Sequence, residues 1–132
     1  MLNKAILMGR LTRDPELRHT QSNTAVCSFR LAVDRDRKGS NGERQTDFID
    51  CTAWGKTAEF ASQWFRKGSL AIAVGRIQSR QWQDKDGSNR TAIEINCDEV
   101  LFGETKKQAE KQKPAYQEDV TELPDDDGDV PF

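Results

Sequence analysis

The feature that most constrains this chain is the run Thr46-Asp47-Phe48-Ile49-Asp50-Cys51-Thr52-Ala53-Trp54, whose side chains change character at nearly every step. In a β-strand, successive side chains point to opposite faces. Ile49, Cys51 and Ala53 then form an apolar face, and Phe48, Asp50, Thr52 and Trp54 form the other. The run predicts a strand with an inside and an outside, so the rest of the chain must cover the inside.

The flanking segments supply that cover. Segment 3–12 is apolar with Gly9 inside it. Segment 25–36 alternates, with Phe29, Leu31 and Val33 on one face and Arg30 and Asp34 on the other. Gly39-Ser40-Asn41-Gly42 predicts a loop before the strand over 46–54. Residues 56–66 lack Gly and Pro and place Ala58, Ala61 and Phe65 at helical spacing, with Gly68 as a stop. Phe65 is expected in the core, and Trp64, paired with Phe60 at i,i+4, has the same option. Segment 69–83 is a long strand with a bend or bulge at Gly75. Asp86-Gly87 marks a hairpin turn, and 90–102 returns with Ile93, Ile95 and Cys97 on one face. His19 falls in a loop. Five strands with one short helix between the third and fourth is the order of the OB-fold, an all-β Greek-key barrel. A plain five-stranded sheet and a β-grasp fold fit the same segments.

Composition breaks near Gly103. Residues 1–103 carry 16 Lys and Arg against 13 Asp and Glu, whereas residues 104–132 carry 4 against 9. The two parts have opposite signs, which the overall net charge of −2 conceals. The second part holds too few large apolar residues to offset the entropy of ordering it. The expected organisation is one domain over 1–103, a flexible linker over 104–124 and an acidic tip over 125–132. The 21 linker residues would span roughly 25 Å r.m.s..

Several function classes fall away. No apolar run approaches the roughly 20 residues of a membrane span, and the opening apolar stretch is too short for a secretion signal. The expected address is cytoplasmic. Cys27, Cys51 and Cys97 are widely spaced and odd in number, which points to small core hydrophobes and away from a disulfide framework or a zinc site. Asp34, Asp36 and Asp98 would meet at Mg²⁺ only by chance of folding. With one histidine, no nucleophile elbow and no phosphate loop, the chain reads as a non-enzyme without a cofactor.

The candidate site is the polar face of 46–54. Two large aromatics, Phe48 and Trp54, share it with an acid and a hydroxyl, which suits base stacking worth about 1–3 kcal/mol per base. The alternative packs both rings under the helix or a loop. Trp82, with Arg80 beside it, lies near the tip of the long hairpin, either as a second platform with phosphate contacts or in a subunit contact. Basic residues recur through 1–103, among them Arg10, Arg30, Arg35, Arg37, Lys56, Arg66, Lys67, Arg76 and Arg90. With exposed aromatics they would make an electrostatic groove. The terminus Asp125-Asp126-Asp127-Gly128-Asp129-Val130-Pro131-Phe132 joins acids to an aromatic ring and a carboxylate. That combination suits a basic-rimmed apolar pocket on a partner protein, the alternative being a solubilising tail.

The chain resembles the bacterial single-stranded DNA-binding protein family. The residues that carry the resemblance are Asn3-Lys4-Ala5-Ile6-Leu7-Met8-Gly9-Arg10-Leu11-Thr12-Arg13-Asp14-Pro15-Glu16-Leu17-Arg18, Trp54-Gly55-Lys56-Thr57-Ala58-Glu59, Arg66-Lys67-Gly68-Ser69 and the acidic end closing on Pro131-Phe132. The resemblance implies an OB-fold homotetramer wrapped by single-stranded DNA, sequence-tolerant binding, nucleoid association, and a tail that recruits replication, recombination and repair proteins. Phe48, Trp54 and Trp82 match the family's stacking aromatics. Lys56, Arg66, Lys67 and Arg80 match basic positions near the DNA path. There are three departures: Arg37 stands where known members place a stacking Trp, Gln81 replaces a basic neighbour of Trp82, and Asp50 puts an acid between the two platform rings. Together they imply one fewer aromatic platform and a heavier reliance on salt-sensitive contacts. Two other readings stay open, an adaptor whose aromatics bury in a subunit contact and an RNA-binding OB protein of the cold-shock kind.

Overall fold

The computed structural model describes residues 1–104. Within that span the order is β1 (Ala5–Leu11), β2 (Glu16–His19), β3 (Ala25–Lys38), β4 (Arg44–Trp54), α1 (Gly55–Trp64), β5 (Leu70–Gln83) and β6 (Asn89–Phe102). Strands are hydrogen-bonded in the order β1-β5-β6-β4-β3-β2, and β1 also pairs with β3. Five strands therefore close into a barrel, with β2 added to β3 outside the ring. Only β4 and β6 run parallel. Closure removes the open sheet edges that invite aggregation. The helix lies between the third and fourth strands of the ring, β4 and β5, so the OB-fold expected from the segment order is the fold observed.

Two glycines shape the barrel. The β5–β6 register slips between Val74 and Gly75, and a Cβ on Gly75 would run into the Asn96 carbonyl. The bulge predicted there bends β5 so that the ring can close. Gly55 has φ +62°, which lets β4 turn abruptly into α1.

The interior follows the alternation. Phe29 and Leu31 of β3, Cys51 and Ala53 of β4, and Ile95 and Cys97 of β6 are buried, while Val33 and Ile49 pack against them. Helix α1 covers one end of the barrel. Ala58 and Ala61 bring it close, and Phe65, just past its last residue, is 1% exposed. The Arg66 guanidinium donates through Nη1 to the carbonyls of Ser62, Gln63 and Phe65 (3.1, 3.3 and 2.7 Å), satisfying the helix end. All three cysteines are free and buried. Cys27 and Cys97 each face Ala53 across the sheet. Burial, with Cys97 nearby, pushes the Cys27 thiol up to about 11. A hydrogen bond with Cys97 and then burial raise Cys51 as well. The Cys27 and Cys51 thiols hold their protons more tightly than usual, and all three cysteines pack as small apolar groups.

Three expectations are corrected. His19 is the last residue of β2, not part of a loop; all four β2 residues are exposed, and the strand is held by pairing with β3 from Glu16–Ser28 to His19–Ala25. The β3–β4 hairpin runs further than predicted, to Lys38 and Arg44. Ile93 shares a face with Ile95 and Cys97 but is 64% exposed, because the β5–β6 hairpin projects past the barrel mouth. Glu104 closes the described chain. Its carboxylate accepts from the Leu70 backbone N–H at 3.2 Å and from Arg10 at 3.4 Å, which holds Glu104 against the barrel.

Candidate nucleic-acid interface

Strand β4 turns its aromatics outward. Phe48 is 58% and Trp54 46% exposed, while Cys51 and Ala53 between them are sealed inside. A strand rises about 3.3 Å per residue, so the two rings stand roughly 20 Å apart on one face. Trp54 is held at the junction with α1, where it forms the N-cap, and Phe48 lies opposite Ala32 on β3. Neither ring lies under the helix or a loop, which decides between the two placements the sequence left open.

Charge on this face is finely matched. Arg30, directly across from Asp50, contacts it at 3.1 Å (Nε to Oδ1). The Arg30 guanidinium also lies 5.9 Å from the centre of the Phe48 ring, within reach of a cation–π contact. On the opposite face of the same hairpin, Arg35 grips Asp47 with two bonds of 3.0 Å and donates to Gln45 at 2.6 Å. The bond from Arg35 holds the Asp47 carboxyl below the usual carboxylate range. On the aromatic face, Arg30 therefore already has an acid as partner, and Asp50 offsets its charge beside Phe48.

The hairpin tip carries the third aromatic. Trp82 is 47% exposed and pairs across the ladder with Arg90. Arg90 is bound to Asp84 at 2.9 Å, and Asp84 also caps the turn by accepting from the N–H groups of Asp86 and Ser88. The bond from Arg90 holds Asp84 below the usual range. Arg80 and Arg37 are exposed, Arg37 near the tip of the β3–β4 hairpin. Lys56 is exposed in the first turn of α1, and Arg66 and Lys67 are exposed just beyond its end.

Not every predicted member gathers here. Arg10 is half-buried and donates to the Gly68 carbonyl at 2.9 Å as well as to Glu104, so its role is structural. Arg76 is tied to Asp98 at 3.5 Å. Trp64, for which the sequence left core packing as an option, does not take it. Its helical partner Phe60 turns instead to Phe65 and Phe102, at centroid distances of 6.0 and 5.4 Å, and Trp64 is left 56% exposed. The adjacent Arg66-Lys67 was the available signal. The tip residues Asp125, Asp126, Asp127, Asp129, Val130, Pro131 and Phe132, and the linker from 105 onward, lie outside the described residues. Among the described residues no three potential metal ligands come together, and no helix is long and apolar enough to cross a membrane.

A small closed five-strand barrel with one helix, outward aromatics and interleaved arginines is an OB-type fold. Comparison with known proteins specifies which. The chain matches the Single-strand binding protein family over residues 2–103, and it belongs to that family. It is 45% identical to the "Single-stranded DNA-binding protein" of Staphylococcus aureus (strain MRSA252) over 120 residues, 91% of this chain and 77% of the relative. It is 42% identical to "Single-stranded DNA-binding protein 1" of Lactococcus lactis subsp. lactis (strain IL1403), over 95% of this chain and 85% of the relative. "Single-stranded DNA-binding protein 2" of Listeria innocua is 44% identical over 83% of this chain and 69% of the relative.

Proposed function

We propose that this chain binds single-stranded DNA without sequence specificity and without catalysis, in replication, recombination and repair. The observation that carries the reading is the outward pair Phe48 and Trp54 on β4. Every base has a π-face, so stacking on these rings and on Trp82 tolerates any sequence. Arg37, Lys56, Arg66, Lys67 and Arg80 supply phosphate contacts. The names of the relatives above favour DNA over RNA as the ligand.

Assembly into a homotetramer belongs to the same reading. Ile6, Ile77, Ile93 and Leu101 are exposed on the strands, and a contact between copies would take such side chains out of water. In this reading 1–103 is the binding domain, 104–124 a tether, and 125–132 a tip that recruits DNA-processing proteins in the cytoplasm and at the nucleoid.

Tryptophan emission should quench on adding oligo(dT), and NaCl should weaken the complex. Absence of quenching and of any mobility shift at low salt would refute DNA binding. Matched titrations should favour oligo(dT) over oligo(U). Native mass determination should give four copies per particle. Removing Val130-Pro131-Phe132 should leave DNA affinity nearly intact while partner proteins are no longer retained.

A further inference from the structure

Helix α1 carries aromatic residues at both ends. Trp54 immediately precedes it and Trp64 is its last residue. Its 10 residues span about 15 Å. Trp64, at 56% exposure, is the most exposed of the three tryptophans. The ring cluster that anchors the helix is built from Phe60, Phe65 and Phe102, with Phe65 and Phe102 stacked at 5.0 Å, and Trp64 is not a member. A tryptophan held on a rigid helix and left largely in water exposes an apolar ring face that gains from stacking against a planar ligand.

The charges around it differ from those on the sheet. Residues 54–67 contain Lys56, Arg66 and Lys67 against the single acid Glu59, and from outside this segment the Asp14 carboxylate accepts from the Lys67 backbone N–H at 2.8 Å. Among the described residues the Arg66 guanidinium is held by backbone carbonyls and forms no ion pair. The Lys67 side chain is exposed, and among the described residues it forms no ion pair. An exposed indole beside two cations on a fixed frame combines a stacking face with phosphate contacts. Its charge is complementary to a polynucleotide backbone and opposed to a basic partner.

We infer that Trp64, with Arg66 and Lys67, forms a further single-stranded DNA contact, which takes up the strand after it leaves the Phe48–Trp54 face along α1. This rests on the proposed DNA binding and extends its path. The contact comes into play only when the strand is long enough to run from β4 past the helix. A short oligonucleotide occupies the sheet face alone.

The test uses the full chain with Trp64→Ala and Trp64→Phe, a short oligo(dT) of about 8 nucleotides, within the span of one OB-fold, and a long oligo(dT). Trp64→Ala should weaken the long ligand about 5- to 150-fold and leave the short one unchanged. Trp64→Phe should keep affinity for both. The emission removed by Trp64→Phe should be the part quenched by the long ligand and not by the short one. Wild-type affinity of Trp64→Ala for both lengths overturns the contact while leaving the sheet site standing. An equal loss for both lengths overturns it too, by placing Trp64 within the first patch. A changed native mass of Trp64→Ala makes the surface a contact between copies and again overturns it. If the alanine variant does not fold, equal long-ligand quenching of wild type and Trp64→Phe overturns the proposal. A wild type that quenches with neither ligand strikes at DNA binding itself.

Discussion

The outer face of β3–β4 and the far end of α1 both present aromatic rings beside cations, but their electrostatics differ. On the outer sheet face, Arg30 is matched to Asp50 across the strands. At the helix end, Arg66 is held by neutral carbonyls, and Lys67 forms no ion pair among the described residues. Exposed pairs of this kind contribute little to stability. Their effect is on ligands: a guanidinium already facing a carboxylate gains less from a phosphate, and the carboxylate repels it. The sheet face should therefore bind by stacking and depend weakly on salt, while the helix end should depend on salt more.

The sharpest way to break this contrast is Trp54→Ala. If the sheet works by stacking, it should cost about 1–3 kcal/mol of oligo(dT) affinity by titration, with little change in salt dependence. Near-wild-type affinity in a folded variant would show that the ring contributes nothing to binding. Asp50→Asn should act next, and in the opposite direction. It frees Arg30 and removes a repelling charge beside Phe48, so affinity should rise by the roughly two- to fivefold equivalent of an exposed ion pair. The slope of log K against log salt should steepen by about 0.7, one more phosphate contact. A loss of affinity would mean that Asp50 serves by holding Arg30 over the ring. Lys67→Gln should lower the slope by about 0.7 and weaken long oligo(dT) only slightly. An unchanged slope would remove Lys67 from the path.

The barrel interior gives the smallest effect and a control for the others. Cys27 holds its proton more tightly in the folded chain than in the unfolded one. The unfolded chain thus ionises first, near the ordinary thiol value of about 8.5. Stability should be unaffected by this thiol below that pH and fall as pH rises from there towards about 11. Denaturant melts of wild type and Cys27→Ser across that window check the difference. Surface variants that leave this alkaline profile unchanged have kept the interior intact.

Much of this was legible before any coordinates. The inside and outside of β4 follow from alternation, because a one-residue slip would bury Asp50 and expose Ala53. The helix face of Ala58, Ala61 and Phe65 was legible for the same reason. Strand β2 was not: it buries nothing, and its backbone bonds to β3 leave no mark on composition. Ile93 was assigned the right face, but periodicity does not say where a barrel ends. Trp64 stayed open in the sequence because i,i+4 spacing permits contact with Phe60 but does not compel it, and Phe60 turns to Phe65 and Phe102.

By itself the sequence determined the chain order of the five barrel strands, the single helix, the two faces of β4 and the family, since these are properties of local pattern and of neighbouring residues. Only the tertiary structure decided which charges meet. Arg30 and Asp50 become opposite neighbours through the β3–β4 register, and Arg10 and Glu104 through the closure of the barrel. Coulomb energy depends on distance in space, and chain separation carries no record of that distance until the strands are paired.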